Sequence, residues 1–426
     1  LGEIPEGWEV KRLKDLSNII SKGTTPTTEG ESFVDFGIRF LKAENIIDDN
    51  TISNNPLFFI SKETDNVLSR SRLKKNDILI VIAGATIGKI AILRESFLPA
   101  NTNQAVCFVR LKEKFQKNVS FSAWYLTSSY FKDSIFSQLV QSAQPNLAMN
   151  VLARLNYFFP PLQTQTAIAD YLDQHTALID KKIALLKAKK QSYAQLKQTL
   201  INEVVTKGLD KTVEMKDSGI EWIGQIPKHW GVKRLKQIFD ERVEKDSLPN
   251  GEPVTENILS VMKDVGVINH RDKGLVGNKM SEDITGYKLV HIDDIVVNKM
   301  NVMIGSVGIS KEFGALSVIY IILKAKSSHV PQFYDYLFSI KRFQKHLRTI
   351  STGILEIREA VNMILFMGQE FPVPPKSEQI TIAYYLDEKT SKIDKIIKKI
   401  DENILAFQEF RKTLINDVVT GKVKVL

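Results

Sequence analysis

PPLQTQTAIADYLDQHTALIDKK, at residues 160–182, returns 214 positions later as PPKSEQITIAYYLDEKTSKIDKI, at residues 374–396. Both copies carry the same Ile-Ala, Tyr-Leu-Asp and Ile-Asp-Lys steps, and the match continues through TLIN and VVT segments that end at Thr206 and Thr420. After the opening prolines, neither copy contains glycine or proline. The repeated stretch therefore predicts two long helices of the same kind.

The apolar residues of each copy recur at steps of three and four over about five heptads, which is the spacing of a coiled-coil seam. A helix of ~40 residues is on the order of 60 Å long, and it cannot bury such a stripe by itself. Because the two stripes are alike, each is the expected partner of the other. Two ordinary long core helices are the alternative, which explains the spacing but not the repetition. The predicted seam comprises Ile168, Leu172, Ile179, Ile183, Leu186, Tyr193, Leu196, Leu200 and Val204 in the first copy and Ile382, Leu386, Ile393, Ile397, Ile400, Ile404, Phe407, Phe410, Leu414 and Val418 in the second.

A second repeat fixes the domain organisation. IPEGWEVKRLKDL at residues 4–16 returns as IPKHWGVKRLKQI at residues 226–238. The chain is therefore two copies of one unit, each with this opening motif, a globular region of ~150 residues and a long helix. We predict an α+β fold in which two similar mixed α/β domains are joined by two long coiled-coil helices, with a pseudo-two-fold internal repeat. The predicted boundaries are a first globular domain at 1–159, a spacer helix and linker at 160–210, a second globular domain at 211–373 and a second spacer helix at 374–426.

Each globular region mixes strand and helix patterns. In the first region, strands are predicted at 37–41, 78–83, 89–93 and 105–111, and a helix at 120–140. In the second region, strands near 294–297 and 304–309 and a helix at 330–348 take the corresponding places. The two regions share this frame while their loops differ, which is expected of one scaffold with two binding specificities and equally of neutral drift.

The composition indicates a globular protein of two to four domains, with 426 residues, 43% hydrophobic and 25% charged. The apolar runs are too short to span a bilayer, and the charged first 20 residues do not form a signal peptide. The chain begins with Leu1 rather than Met, so we expect a few preceding residues. The single cysteine, Cys107, lies in an apolar strand-like segment, excludes an internal disulfide and favours a reducing compartment, the cytoplasm. A net charge of +9 favours nucleic acid as partner before a membrane.

Two short motifs resemble known sites but lack residues that their chemistry requires. GATIGKI at residues 84–90 has three residues between its glycines where a phosphate-binding loop needs four, and Ile90 replaces the magnesium-binding Ser or Thr. We predict a tight turn there. FFPPL at residues 158–162 lacks the Asn and the final aromatic residue of the adenine methyltransferase motif, so we predict that its prolines end a strand and start a helix. The six histidines have no metal-ligand spacing, and we predict no catalytic residue, metal or cofactor in this chain.

Polar and basic loop residues remain as candidates for contact with DNA. Arg and Lys side chains can bond guanine in the major groove, and Asn and Gln can bond adenine. Such residues also occur on ordinary surface loops, which is the alternative for each of them. The candidates are Lys22, Thr24, Thr25, Lys42, Asn45, Arg70, Arg72, Lys89, Asn101, Asn103, Gln104, Gln144 and Asn146 in the first region and Arg242, Lys245, Lys263, Asn269, Lys273, Asn298, Lys299, Asn301, Ser351, Thr352 and Arg358 in the second.

Three features occur together and in the same order in both halves: the Ile-Pro-x-x-Trp-x-Val-x-x-Leu opening, the paired strands beginning at Asp77 and Asp294, and the Pro-Pro…Tyr-Leu-Asp helix start. This combination resembles the specificity subunit of type I restriction–modification enzymes over nearly the whole chain. The second region departs from the first where Ser351-Thr352-Gly353 replaces Gln144-Pro145-Asn146.

The resemblance implies two target-recognition domains, each of which reads half of a bipartite site on double-stranded DNA. It also implies that the two long coiled-coil helices lie antiparallel and hold these domains a fixed distance apart. It implies two modification subunits that bind S-adenosylmethionine and methylate adenine, and restriction subunits that use ATP and Mg for translocation and cleavage. Other interpretations stay open: a DNA-binding scaffold or regulator without methyltransferase partners, an autonomous methyltransferase or nuclease, and a structural coiled-coil protein.

Overall fold

Two units divide the chain: Leu1–Lys187 with Asp401–Leu426 form unit 1, and Ala188–Ile400 forms unit 2. The computed structural model describes residues 4–47, 50–138, 146–274, 284, 286–352 and 360–425. Each unit contains one globular region and a segment of both long helices.

The globular part of unit 1 is built around two four-stranded sheets, with strand orders β2-β11-β8-β9 and β10-β4-β7-β3. In β8, Ile78 and Ile80 pack into one core while Leu79 and Val81 pack into another, which explains its continuous apolar sequence. The elements are β1 (Glu9–Arg12), α1 (Leu13–Leu16), β2 (Ser17–Lys22), β3 (Phe33–Val34), β4 (Ile38–Leu41), β5 (Ile46–Ile47), β6 (Thr51–Ile52), β7 (Phe59–Ile60), α2 (Lys62–Val67), β8 (Ile78–Val81), β9 (Ile90–Ile92), β10 (Ala100–Thr102), β11 (Val106–Leu111), α3 (Val119–Thr127), α4 (Ser129–Phe136), α5 (Met149–Arg154) and β12 (Asn156–Phe159), followed by the long helix α6 (Leu162–Lys207).

Unit 2 repeats the first of these sheets in the order β16-β23-β20-β21. Here Ile295 and Val297 of β20 face the larger core, and Val296 faces the smaller one. The elements are β13 (Met215–Asp217), β14 (Gln225–Pro227), β15 (Gly231–Arg234), α7 (Leu235–Ile238), β16 (Phe239–Glu241), β17 (Leu259–Met262), β18 (Gly266–Asn269), β19 (Lys288–Val290), β20 (Ile295–Asn298), β21 (Val307–Ile309), β22 (Gly314–Leu316), β23 (Tyr320–Ala325), α8 (Pro331–Phe338), α9 (Lys341–Leu347), β24 (Ser351–Thr352), β25 (Ala360–Val361), α10 (Met363–Met367) and β26 (Glu370–Val373), followed by the long helix α11 (Lys376–Val419).

The long helices run antiparallel within each unit. In unit 1, Arg411 Nε lies 3.0 Å from Asp180 Oδ1, and Lys182 Nζ lies 5.3 Å from the ring centroid of Phe407. Residue numbers therefore rise along α6 as they fall along α11. In unit 2, Lys197 Nζ bonds Asp394 at 2.7 Å, and the C-terminal turns of α6 pack in one core with Leu386 near the start of α11.

The ends of the predicted seam pack into the globular cores as well as against the partner helix. Leu172 shares the core of unit 1 with Val418, and Leu386 that of unit 2 with Val204. The predicted seam residues Ile168, Ile179, Ile183, Ile382, Ile393, Ile400 and Ile404 are likewise buried, while Leu186, Tyr193, Leu200, Ile397, Phe407 and Leu414 are half-buried.

Two predicted seam positions are wrong. Leu196 is 53% exposed and Phe410 is 55% exposed. Their neighbours Lys197 and Arg411 take the facing positions instead, at equivalent places of the two copies, and each pairs with an aspartate of the other helix. The apolar pattern missed this because a long basic side chain can bury its stem along a helix while its charge reaches a partner.

The α+β fold class is confirmed in both units. The residue 84–90 motif is the turn between β8 and β9, and the Pro160-Pro161 pair separates β12 from α6, as predicted. The single helix predicted at 120–140 is instead two helices, because Ser128 is extended and its side chain caps α4 by accepting from Phe131 N. Cys107 is a core residue of β11, and burial raises the pKa of its thiol to about 12. Among the described residues, no helix is both long and apolar enough to cross a membrane.

Candidate nucleic-acid interface

The loops at one edge of the main sheet of unit 1 gather many of the predicted contact residues. This edge is where β2 and β8 end and where β11 and β9 begin, since the register pairs Lys22 with Cys107 and Val81 with Val106. We call residues 22–28, 82–89, 102–106 and 146–147 the reading edge of unit 1. These segments contain two lysines and no acidic residue. The reading edge holds Lys22, Thr24, Thr25, Lys89, Asn103, Gln104 and Asn146.

Backbone hydrogen bonds hold these loops together. Thr24 N donates to Thr102 O at 3.1 Å, Ile82 N to Ala105 O at 2.9 Å, and Leu147 N to Ile82 O at 2.8 Å. Gly23 is required here, because a Cβ at this position would lie 1.9 Å from the carbonyl oxygen of Thr102. The side chains of the edge therefore project from a fixed backbone.

Gln104 is the best-oriented polar side chain of this edge. It is exposed, and its Oε1 accepts from Thr25 Oγ1 at 3.1 Å. This bond leaves the amide Nε2 to donate toward solvent or a ligand. Beside it, Asn103 Oδ1 is buried without a hydrogen-bond partner among the described residues. Of these two adjacent amides, the exposed Gln104 amide is the one suited to groups on base edges.

Lys42 joins the same edge from the second sheet. It follows β4, whose Leu41 pairs with Thr102 and whose carbonyl accepts from Thr102 Oγ1 at 2.7 Å. Its Nζ lies 3.4 Å from the ring centroid of Phe58 and 4.5 Å from that of Phe33. Such cation–π contacts hold the ammonium group in one place.

Asn45 and Asn101 belong to the framework of unit 1, and the prediction that they contact DNA is wrong. Both side chains are buried. Asn45 Nδ2 donates to Pro56 O at 2.7 Å, and Asn101 Nδ2 donates to Asp65 Oδ1 at 3.0 Å. Their amide groups satisfy internal carbonyl and carboxylate groups, as buried polar groups generally do.

Arg70 and Arg72 lie away from the reading edge. Arg72 is paired with Asp65 at 2.6 Å, and its carbonyl accepts from Arg110 Nη2 at 3.1 Å, near the start of β8. Arg70 is exposed two residues earlier. Gln144 lies outside the described residues. The polarity of these residues did not predict the edge of the sheet on which each side chain would lie.

A matching edge occurs in unit 2, where β20 ends and β23 begins, since Asn298 pairs with Tyr320. We call residues 299–306, 317–320 and 360–361 the reading edge of unit 2. It contains Lys299 and no acidic residue. Val361 N donates to Lys299 O at 3.0 Å, which joins β25 to this edge as Leu147 joins Ile82 in unit 1. Of the predicted residues, Lys299 and Asn301 lie on the edge, and Ser351 and Thr352 lie in β24, the partner strand of β25.

Other predicted residues of unit 2 have different positions. Asn298 is buried, and its Oδ1 accepts from Met300 N at 3.0 Å, so its predicted DNA contact is wrong. Asn269 bonds Asn257 and lies half-buried. Lys245 pairs by a backbone bridge with Lys288, Lys263 is exposed in the turn between β17 and β18, and Lys273 is half-buried. Arg358 lies outside the described residues.

Arg242 is also structural, and the buried ion pair that it forms has a counterpart in unit 1. Its guanidinium bonds the buried carboxylate of Asp294 at 2.6 and 3.2 Å, and this bond raises the pKa of Arg242. In unit 1, Arg110 bonds the buried carboxylate of Asp77 at 2.8 and 2.7 Å. Burial raises the pKa of Asp77, while Arg110 opposes that rise. Each pair fixes the start of the central strand whose other end carries the reading edge.

Sequence reasoning missed four exposed apolar residues on the reading edge of unit 2: Met300, Ile304, Val318 and Ile319. The signal was available in the repeat, because residues 317–319 precede β23 as residues 103–105 precede β11. The DNA contacts predicted from the sequence comprised only polar and basic residues. Among the described residues no group of His, Cys, Asp and Glu could hold a metal ion.

Comparisons with known proteins agree with this architecture. The family described as the type I restriction modification DNA specificity domain matches residues 5–191. A putative type I restriction enzyme specificity subunit, MjaX of Methanocaldococcus jannaschii, is 24% identical over 100% of this chain and 96% of its own length. The StySPI specificity subunit of Salmonella potsdam is 21% identical over 99% of this chain and 90% of its own length.

Two solved structures share the fold. A chain of a type I restriction–modification system has a TM-score of 0.74 at 14% identity and covers 99% of this chain and 100% of that chain. The specificity subunit HsdS of Thermoanaerobacter tengcongensis has a TM-score of 0.55 at 16% identity, over 99% of this chain and 98% of that one. Residues 5–191 therefore resemble a type I restriction modification DNA specificity domain, and the whole chain is similar from end to end to specificity subunits of type I restriction enzymes.

Proposed function

We propose that this chain is the sequence-specific DNA-binding subunit of a type I restriction–modification complex and reads a bipartite site, with one half-site at the reading edge of each unit. The observation that carries the proposal is the repetition of this edge. The same four-stranded sheet ends twice in a reading edge whose segments contain lysine and no acidic residue. Such loops suit a polyanion whose base edges are to be read.

The long helices are assigned the role of spacer. Residues 1–159 and 211–373 are the proposed target-recognition domains, and residues 160–210 and 374–426 are the proposed spacer helices and linker. At ~1.5 Å per residue, helices of 46 and 44 residues are roughly 65–70 Å long. A rod of that length suits half-sites a little more than one DNA turn apart, since one turn is ~34 Å.

The chemistry of the complex is assigned to partners, because specificity subunits are non-catalytic. We propose two modification subunits, which bind S-adenosylmethionine and methylate adenine, and restriction subunits, which use ATP and Mg. The complex acts on double-stranded DNA in the cytoplasm. The buried, unpaired thiol of Cys107 is compatible with that reducing compartment.

Purification from the native host tests the partner assignment. We expect an affinity-tagged chain to retain a DNA methyltransferase subunit. Retention of DNA without any methyltransferase would favour the second candidate function, a DNA-binding scaffold or regulator. Sequencing of DNA methylation in hosts with and without the chain then gives the two half-sites, their spacing and the modified base. A methylation pattern unaffected by loss of the chain would contradict the proposed function.

DNA binding is expected to weaken steeply with salt. If the complex contacts at least about six phosphates, its affinity for the site falls about 1,000-fold between roughly 50 and 200 mM salt, because binding releases condensed counterions. Fluorescence anisotropy titrations over that range measure the slope. A slope near zero would contradict phosphate contact by the lysine-bearing edges.

Replacing Gln104 with Ala is expected to relax specificity at one base pair. A well-oriented bidentate amide contact discriminates against a wrong base by about 1–3 kcal/mol, or about 5- to 150-fold. Affinities for duplexes that vary one half-site position at a time measure this loss. Thr25→Val is the matched variant, because it removes the hydroxyl that orients Gln104 while leaving its amide, and it should give a smaller loss at the same position.

Lys22→Ala serves as the contrasting control for this experiment. It is expected to weaken binding to all sequences alike and to reduce the salt slope by about 0.9 for one lost phosphate contact. If Gln104→Ala behaved in the same sequence-independent way, Gln104 would be a backbone contact and not a base reader.

A further inference from the structure

The reading edges of the two units differ in chemistry at corresponding positions. Directly before the strand that pairs with the central strand, unit 1 has Asn103-Gln104-Ala105, and unit 2 has Ser317-Val318-Ile319. Val318 is 54% exposed and Ile319 is 36% exposed. Directly after the central strand, Met300 of unit 2 is 42% exposed and corresponds in position to the small residue Ala83. The edge of unit 2 therefore carries Met300, Val318 and Ile319 where that of unit 1 carries Ala83, Gln104 and Ala105.

The two segments that carry Met300, Val318 and Ile319 leave the sheet at adjacent positions. The ladder of β20 and β23 ends with Asn298 paired to Tyr320, so the next residues along each strand diverge from adjacent positions. Asn298 Oδ1 accepts from Met300 N at 3.0 Å, which fixes the first of the two loops. Tyr320 N donates to Ser317 O at 3.1 Å, which closes the second loop into a turn. Hydrogen bonds within the two loops therefore hold this apolar surface in place.

Basic groups flank this surface. Lys288 Nζ lies 3.3 Å from the carbonyl oxygen of Tyr320, next to Ile319. Lys299 precedes Met300, and the backbone of Lys245 is bridged to that of Lys288. A surface of three apolar side chains between lysines is too small for a stable protein interface, which buries about 800 Å² on each partner. Because Lys288 is paired with Glu241 at 3.4 Å, Lys245 and Lys299 are the basic groups assigned to DNA phosphates.

In the major groove, only the A·T base pair presents an apolar group, the C5-methyl of thymine. We propose that Met300, Val318 and Ile319 form a thymine-methyl contact through which unit 2 reads its half-site, whereas unit 1 reads mainly through amides. This inference rests on the proposed function. It adds that the two half-sites are recognised by different chemistry, although the scaffold that presents the contacts is repeated.

Deoxyuridine substitution tests the contact, because it removes the methyl group and leaves the Watson–Crick edge unchanged. The duplex carries the site found by methylation sequencing, and each thymine in both half-sites is replaced in turn. With the wild-type complex, at least one replacement in a single half-site should lower affinity about three- to fivefold, the value of one buried methyl group. Fluorescence anisotropy at fixed salt measures each duplex.

Protein variants assign the effect to its side chains. Val318→Asn should lower the affinity of the complex for the thymine duplex. The variant should also bind the thymine and deoxyuridine duplexes equally well, so that the loss from the substitution and the loss from deoxyuridine do not add. Ile292→Asn is the matched control, because Ile292 is 61% exposed and lies before β20, at the other end of the central strand. This variant should retain the full deoxyuridine effect.

Three results would overturn the inference: a unit 2 half-site without thymine, deoxyuridine duplexes bound as tightly as the thymine duplex, or an undiminished methyl effect in Val318→Asn. Each of these results overturns the inference only when the wild-type complex binds its site more tightly than unrelated DNA. Loss of that preference in the wild-type complex would instead contradict the proposed function itself, so the two failures are distinguishable.

Discussion

Deleting residues 186–192 together with residues 400–406 is expected to change the spacing of the half-sites that the complex accepts. One heptad shortens each helix by ~10.5 Å, which equals about three base pairs of DNA at ~3.4 Å each. Affinity for the native site should fall at least about 100-fold, because two linked contacts lose their avidity when the linker no longer spans both sites. Sites with a shorter spacer should recover part of that affinity.

The deletion spares the helix contacts that each unit makes. Asp180 and Arg411 remain in unit 1, as do Lys197 and Asp394 in unit 2. Seven residues make nearly two full helical turns, so the facing stripe keeps its direction to within about 20°. Recovery should be partial, because a change of three base pairs also turns one half-site by about 100° around the DNA axis.

Binding selection from a library of duplexes with spacers of every length measures the outcome. Deletion of residues 186–192 alone is the control, since it puts the two stripes out of register and should reduce binding at all spacers. If the double deletion retained the native spacer preference, the helices would not set the spacing.

Replacing Asp77 with Ala is expected to destabilise unit 1 by about 3–5 kcal/mol, the cost of leaving a buried ion-pair partner without its counter-charge. The side chain of Asp77 is fully buried, and that of Arg110 is 16% exposed. Asp77 also accepts a backbone hydrogen bond from Lys74 N at 2.7 Å, which the variant loses. Backbone amides of β8 and β11 should therefore exchange hydrogen at least about 100-fold faster.

The internal repeat supplies the control for this measurement. In Asp77→Ala the amides of β20 and β23 should keep their protection from hydrogen exchange. In Asp294→Ala these amides should lose protection, and those of β8 and β11 should keep it. Glu95→Ala removes the exposed Lys75–Glu95 pair and should leave the protection of both units unchanged, because solvent screens an exposed ion pair. Equal loss of protection in both units would mean that the pair does not act locally.

Much of the fold could be predicted because repetition and periodicity are local properties of the sequence. The copies at 160–206 and 374–420 predicted two long helices, and the structure has them at Leu162–Lys207 and Lys376–Val419. The prediction failed where a single side chain changed the local geometry. Ser128 divides a predicted helix in two by capping α4, a choice that depends on the hydroxyl reaching Phe131 N.

The candidate site was harder to predict, because polarity alone does not separate a reader from a framework residue. Asn101 and Asn103 are two residues apart, yet the first is buried against Asp65 while the second lies on the reading edge. The apolar readers proposed for unit 2 were missed for the same reason, since an exposed valine resembles a core valine in a sequence.

The sequence by itself determined that this protein contains two copies of one unit, each with a long helix, and that the apolar stripes of the two helices match. Those features follow from which residues recur and at what spacing, and they need no coordinates. Only the tertiary structure decided that Lys197 and Arg411 take seam positions, and which loops meet at one edge of each sheet. The physical reason is that side-chain partners and strand neighbours are set by contacts between distant segments, which no local pattern encodes.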